Sequence, residues 1–264
     1  MSVSSAGKPS KLQTWMLGLG GLLVFFGLWA AFSGFGLVPA RFLPSPAAVA
    51  QRMFFLADHP FAGASLPVHV LSSLGRYALG FLLAAAIGVP LGLFMGWYSL
   101  LDDIVTPIFN ALRFVAPIAW VPFAALWFGT GIGGPVMVIF AGAFPPCLIN
   151  AYRGAKFVDA KFLEAAHTLG AGNLRIVTEV LLPVSIPSIV SGLRVGAGLG
   201  WQSLVGAELI VASSGVGYMM VQGQSAVSTP TVLSGMIAIG IVGYCVDLVL
   251  REMEAFTRRR RGLG

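Results

Sequence analysis

The sequence predicts an all-α protein, a polytopic bundle of about six membrane-spanning helices. Three observations lead there. Hydrophobic residues fill 57% of the 264 positions and charged residues only 10%, against about 25% charged in soluble domains. Mean hydropathy is +0.87. The apolar residues also gather into stretches at 14–36, 69–98, 104–129, 134–152, 186–211 and 231–250, each near or above the roughly 20 residues that cross about 30 Å of hydrocarbon.

Taken in chain order, the first stretch follows Lys8 and Lys11 and has small residues at Ala30 and Ala31, as a signal peptide would. Its apolar run exceeds the roughly 7–15 residues of a signal-peptide core, so a retained span is expected. Pro44 to Asp58 reads as a short amphipathic helix with Val49, Met53, Phe54 and Leu56 on its apolar side, lying on the outer membrane surface. The second stretch carries Gly88, Gly92 and Gly96, and the fifth Gly192, Gly196 and Gly200. Small residues four apart let helix backbones approach closely. The third contains Pro107, Pro117 and Pro122, so a broken or kinked span is expected, opening as a separate interfacial helix after a loop near 99–103. Gly129, Gly131 and Gly134 fit a dinucleotide-binding spacing but fall between two spans, where a tight turn is the simpler reading. Cys147 and Cys245 sit inside apolar runs and read as small buried hydrophobes.

Charge placement sets the orientation. With the N-terminus inside, eleven of the 16 Lys and Arg face the cytoplasm: Lys8, Lys11, Arg153, Lys156, Lys161, Arg175, Arg251 and Arg258 to Arg261. The outer side holds Arg41 and Arg52. The basic clusters therefore read as topology signals and not as a nucleic-acid surface; no nucleic-acid partner is expected. The expected organisation is a cytoplasmic tail over 1–13, a transmembrane domain over 14–250 containing an inner loop at 153–185, and a basic cytoplasmic tail over 251–264.

The inner loop is the most informative segment. Asp159 caps a helix over Ala160 to Leu169 that Gly170 terminates; Asn173 caps a second that runs through Leu182 until Pro183 stops it. Phe162, Ala166 and Leu169 share a face of the first, widened by Leu163 and Ala165. Leu174, Val177 and Leu181 share a face of the second. Periodicity alone leaves two readings open, an interfacial loop packed on its own protein or a dock for a soluble partner.

Glu164-Ala165-Ala166, then Gly170, Ile176 and Leu182-Pro183, resembles the EAA loop of permease subunits in ATP-binding-cassette importers. Leu43-Pro44-Ser45-Pro46, Ser73-Leu74-Gly75-Arg76, Ala119-Trp120-Val121-Pro122, Leu126-Trp127-Phe128-Gly129, Ala207-Glu208-Leu209-Ile210 and Ser213-Ser214-Gly215-Val216-Gly217-Tyr218 are similar to the nitrate/sulfonate/taurine branch. The likeness covers about 42–251. Arg113 to Pro117 has fewer prolines than is usual there, and the first span shows nothing diagnostic. The resemblance implies the type I importer permease architecture in a bacterial inner membrane. It implies as partners two ATPase subunits, a second permease copy or a homologue, a periplasmic substrate-binding protein and the lipid bilayer. It also implies a small anionic solute, with the binding protein doing most of the selecting. The coupling residues it implies are Glu164 for a polar contact, Ala165 and Ala166 for close approach, Gly170 for the turn, and Leu182-Pro183.

No phosphate-binding G-x-x-x-x-G-K-[ST] loop and no metalloenzyme spacing occurs, so a non-catalytic chain is expected. It binds no cofactor, and ATP with Mg²⁺ is used by the partner. A secondary transporter would need inverted repeats, and a membrane-embedded enzyme a catalytic cluster; neither pattern is visible. Ionisable residues within spans are costly and usually face protein or water. Of these, Asp247 and Arg251 are four apart and form a local pair, whereas Arg76 and Arg194 sit near span ends and snorkel. Arg113 and Glu208 are the pathway candidates, with Trp120, Trp201 and Gln202 beside them.

Overall fold

The computed structural model describes residues 11–36, 38–39 and 41–260. The tail residue Lys8 and the last basic residue, Arg261, lie outside the described residues. The helices are α1 (Lys11–Gly34), α2 (Pro46–Asp58), α3 (Leu66–Trp97), α4 (Ser99–Leu112), α5 (Val121–Phe128), α6 (Gly133–Lys156), α7 (Ala160–Thr168), α8 (Asn173–Ile176), α9 (Leu182–Val211), α10 (Val216–Ser225) and α11 (Thr229–Arg260). Among the described residues, five stretches are long and apolar enough to span a membrane, or six when the bent pair around residues 99–128 counts as one.

The centre of the bundle is α6, held between α3 and α9. Both glycine triplets face it. A Cβ on Gly96 would lie 2.5 Å from Ala155 Cβ, and one on Gly88 3.2 Å from Cys147 Cβ. From the other side, a Cβ on Gly196 would lie 2.9 Å from both the Ala143 carbonyl oxygen and Cys147 Sγ. The missing side chains therefore become backbone-to-backbone contact along two seams. Tyr77, Ile139, Ala197 and Leu204 fill the middle of the same three-helix layer, with Trp201 packed edge-on to Tyr77 at 5.2 Å.

The third span is broken, as the prolines predict, with an 89° bend between its halves. It starts earlier than the sequence suggests. Residues 99–103 are the first helical turn of α4 and not a loop, because Asp102 is held by Thr106 Oγ1 (2.6 Å), Tyr152 Oη (2.8 Å) and Lys156 Nζ (2.9 Å). After Arg113 the chain passes through a single 3-10 turn, Pro117–Trp120, into α5. Gly129, at φ +70°, closes α5 in a backbone conformation that side chains resist, and the next helix begins at Gly133.

The inner loop departs from expectation at its second helix. Gly172, not Asn173, occupies the cap position, and Pro183 does not stop the chain. A π-helical segment, Val177–Leu181, carries it directly into α9, so Pro183 lies within one continuous helical path, just after the π segment. The described part of the basic C-terminal segment, residues 251–260, is the helical continuation of α11. Two further readings change. Cys147 is buried, but Cys245 is exposed on α11. Helix α2 buries Val49 and Leu56 against the protein, with Leu56 packed beside Leu66, Val216 and Met219, while Phe54 stays exposed. Ser45 caps it by accepting from Ala48 N at 3.2 Å.

Gly198 lies on α9 between two seam glycines, with nothing within 4 Å of a Cβ built there. Gly196→Ala should lower the melting temperature of the detergent-purified protein through overpacking of about 1–3 kcal/mol. Gly198→Ala should hold or raise it by helix propensity. Equal effects in a thermal unfolding series would remove the seam as the source of cohesion.

Candidate functional site

Two adjoining cavities open where the third span breaks. One, of about 320 Å³, is bordered by Arg113 and Val115 on the broken span, by Ala141 and Pro145 of α6, and by Gln202 and Ser203 of α9. The other, of about 260 Å³, lies between α4 and α6 and is lined by Ile108, Phe109, Trp120, Phe140 and Phe144, again with Arg113. The breaks make this space: Pro117 and Pro122 prevent a continuous helix from filling it. Arg113 is the C-cap of α4, with its guanidinium over the Phe114 ring at 4.8 Å. Among the described residues no carboxylate pairs with it. A cation without a carboxylate partner at the edge of an open cavity suits an anion.

Of the five pathway candidates, Arg113, Trp120 and Gln202 border these cavities. The other two are placed elsewhere. Trp201 turns to the opposite side of α9, against Tyr77 and Gly243. Glu208 is 2% exposed and committed to a packed polar network at the end of the bundle away from α7.

In that network Arg76 NH1 donates to Glu208 Oε1 at 2.9 Å and to the Ser214 carbonyl at 2.8 Å. Ser73 Oγ donates to both Glu208 oxygens (2.9 and 2.8 Å) and accepts from Val216 N at 2.9 Å. Gly217 N donates to Oε2 at 3.0 Å. His69 Nδ1 accepts from Gly215 N at 3.2 Å, which leaves Nε2 as the donor to the Phe61 carbonyl at 2.9 Å. A Cβ on Gly215, where φ is +103°, would overlap the Glu208 carboxylate, so the loop closes over the ion pair only with glycine. Arg76 is thus buried and paired and does not snorkel. Arg194 is likewise paired, with Asp247 (3.1 Å) and Glu254 (3.0 Å) of α11, while Arg251 bonds Asp247 at 2.7 Å as its spacing predicts. The contact between Arg76 and Glu208 was missed in the sequence. A signal was present: His69, Ser73 and Arg76 form a polar stripe of helical spacing on an otherwise apolar helix.

At the other end, α7 packs through Ala166 and Leu163 onto a pad formed by Ile176, Val177 and Leu181, with Phe94 and Trp97 around it. Asp159 caps α7 through Lys161 N at 3.1 Å, and Gly170, at φ +76°, ends it. The buried side is Leu163 and Ala166. Phe162 and Leu169, expected on the same face as Ala166, point outward instead, as does Leu174. Glu164 and Ala165 are exposed beside them, Leu182 lies at the pad's edge, and Pro183 opens α9 behind it. Phe162, Ala165 and Leu169 thus form an exposed apolar strip, and the exposed Glu164 lies farther round the helix.

A membrane bundle with a cavity at a broken span and a small exposed helix at one end is a transport domain. Residues 88–260 match the family described as binding-protein-dependent transport system inner membrane component, and the chain belongs to that family: it is a permease subunit of an ATP-binding-cassette importer. Membership implies separate ATPase subunits and a substrate-binding protein, with ATP hydrolysed by the former and this chain non-catalytic. The chain is 34% identical to the taurine transport system permease protein of Escherichia coli over 239 residues, covering 90% of this chain and 87% of that one. It is 30% identical to the nitrate import permease protein of a Synechocystis strain over 218 residues, 81% and 79% of the two chains. The fold matches a chain of the MetNI methionine ABC transporter, solved in an inward-facing conformation, with a TM-score of 0.64 at 20% identity over 78% of this chain and 98% of that one. The architecture is that of a type I importer permease.

The buried network yields a direct test. Removing one partner strands a buried charge, at a cost of about 3–5 kcal/mol, whereas replacing both with apolar residues costs much less. Glu208→Ala and Arg76→Ala should each abolish monodisperse expression, and Arg76→Met/Glu208→Leu should recover part of it. Size-exclusion profiles of the three variants check this.

Proposed function

We propose that this permease carries a small anion, a sulfonate such as taurine or an inorganic anion such as nitrate, into the bacterial cytoplasm. The complex contains two copies of this chain, or one copy with a homologous permease, two ATPase subunits and a periplasmic binding protein. ATP and Mg²⁺ belong to the ATPases, and this chain binds no cofactor. The basic residues support an inner-membrane orientation with both termini and the 153–185 loop in the cytoplasm.

The observation that carries this reading is the exposed face of α7. Phe162, at 55% exposure, and Leu169, at 86%, are large apolar side chains on a helix whose other face is already buried. Such a surface fits the groove of a soluble partner, with Glu164 meeting a donor there. Force applied at α7 reaches α3 through Trp97, which stacks on His167 at 6.3 Å, and α9 through the π segment. Rocking of these helices opens the broken-span cavity alternately to each side. The anion charge is supported by Arg113 and by the similarity to taurine and nitrate permeases.

Glu164→Lys and Gly170→Pro should weaken binding of the purified ATPase subunits about tenfold or more, the scale of one lost anchor contact. Wild-type affinity in a pull-down titration would end the docking assignment. Arg113→Ala should cut ATP-driven uptake of labelled taurine or nitrate about tenfold in proteoliposomes holding the complete complex, with assembly unchanged. Undiminished uptake of both probes would take Arg113 off the pathway.

A further inference from the structure

We propose that Asp102 is a positioning residue for transport: it ties the first half of the broken span to the base of the inner hairpin, so that movement of the hairpin reaches Arg113 and the cavity. This rests on the docking reading above and adds a route that runs through neither α3 nor the π segment. The tie is made at a single carboxylate. Asp102, 14% exposed, accepts from Tyr152 Oη at 2.8 Å and from Lys156 Nζ at 2.9 Å, both on α6. Thr106 Oγ1 donates to its other oxygen at 2.6 Å. Lys156 Nζ also stands 5.7 Å from the centre of the Tyr152 ring.

Helix α4 has little else to fix it within this chain. None of its residues is buried, and the cavity of about 260 Å³ separates its middle from α6. Phe109 crosses that gap to meet Phe144 edge-on at 6.3 Å. Pro107 lacks the N–H that would bond the Asp103 carbonyl, which weakens the helix near its start. The bond from Thr106 to Asp102 spans the same turn and closes it from the side. Asp102 also lies in the first turn, where the helix dipole favours a carboxylate. An anchored first turn makes α4 an arm. From Asp102 to Arg113, its C-cap, the arm runs about 16 Å at ~1.5 Å per residue.

The partners on α6 sit where force arrives. Lys156 is the last residue of α6, and Asp159, just beyond it, caps α7. A hairpin displaced by its partner therefore pulls first on a residue that holds Asp102. Lys156 by itself, 42% exposed, contributes little to stability. Its weight is geometric, since with Tyr152 it fixes where the near end of α4 sits. The neighbouring Asp103 is exposed and shares none of these bonds, which makes it the natural control.

The test uses the complete complex of permease, ATPases and binding protein in proteoliposomes. Val115→Cys, on the cavity wall beside Arg113, is the reporter in a Cys245→Ser background, Cys147 being buried. Labelling of the permease by a water-soluble methanethiosulfonate is timed with and without ATP and Mg²⁺. Asp102→Asn should shrink the ATP-dependent change at least about fivefold, the low end of coupling between linked sites. ATPase binding and ATP hydrolysis should persist. Asp102→Glu should restore most of the response, and Asp103→Asn should leave it whole. An undiminished response in Asp102→Asn overturns the proposal, as does an equal loss in Asp103→Asn. A lower melting temperature with the response intact marks a static clamp and overturns it too. Should Asp102→Asn fail to assemble, Tyr152→Phe and Lys156→Met each remove one donor, and a full response in both is the overturning result. Absence of ATPase binding, or of any ATP-dependent change in the reporter complex before Asp102 is altered, sinks the docking reading itself and this proposal with it.

Discussion

A helix surrounded by hydrocarbon gains little by hiding leucine from its neighbours, so cohesion must come from backbones that approach closely and from polar groups that find partners. In this permease the first of these is concentrated on α6. Gly88 and Gly96 of α3 press on one side of it, and Gly192 and Gly196 of α9 on the other, with Ala143, Ala151 and Ala155 returning the small surface. Every other feature hangs on that three-helix layer. The broken span leans on α6 at Phe144, the loop hairpin begins where α6 ends, and the ion pair joins α3 to α9 beyond it.

The polar contacts then divide into two ends with different duties. Away from α7, Ser73, Arg76 and Glu208 bind helix to helix and fasten the 212–217 turn over themselves. Their burial, with the exclusion of any Cβ at Gly215, makes this end rigid. Near α7 the contacts are more exposed: Lys156 with Asp102, and Arg194 with Asp247 and Glu254. Exposed ion pairs contribute little to stability and re-form readily. A bundle held tightly at one end and loosely at the other moves most at the loose end, the end proposed above as the dock for the ATPase.

The prolines serve the middle. Pro117 and Pro122 interrupt a span that borders both cavities, and in lipid such an interruption persists only where protein or water satisfies the freed backbone. The cavity and the break are thus one feature seen from two sides. Arg113 lies at the break, where a cation can reach water without crossing hydrocarbon.

Composition and run length alone determine that this chain is a helical membrane protein, because a bilayer imposes a length and an apolarity that any sequence must display. Glycine spacing marks the packing faces of α3 and α9 for the same reason, and the Glu164 loop with its flanking motifs is legible as family resemblance. Local sequence could not reveal that Ser73, Arg76, Glu208 and Gly215 meet, since they are more than a hundred residues apart in part and their contact is made by the fold of α3 against α9. Nor could it show that Trp201 packs against Tyr77 and Gly243 while Gln202 borders the cavity, because neighbours on a helix lie about 100° apart and only the placement of α3, α6 and α11 around α9 decides what each one meets. Pro183 is the clearest case. Its missing N–H argues for a helix end, but the π segment before it realigns the backbone, and the packing of Ile176, Val177 and Leu181 makes continuation the better solution.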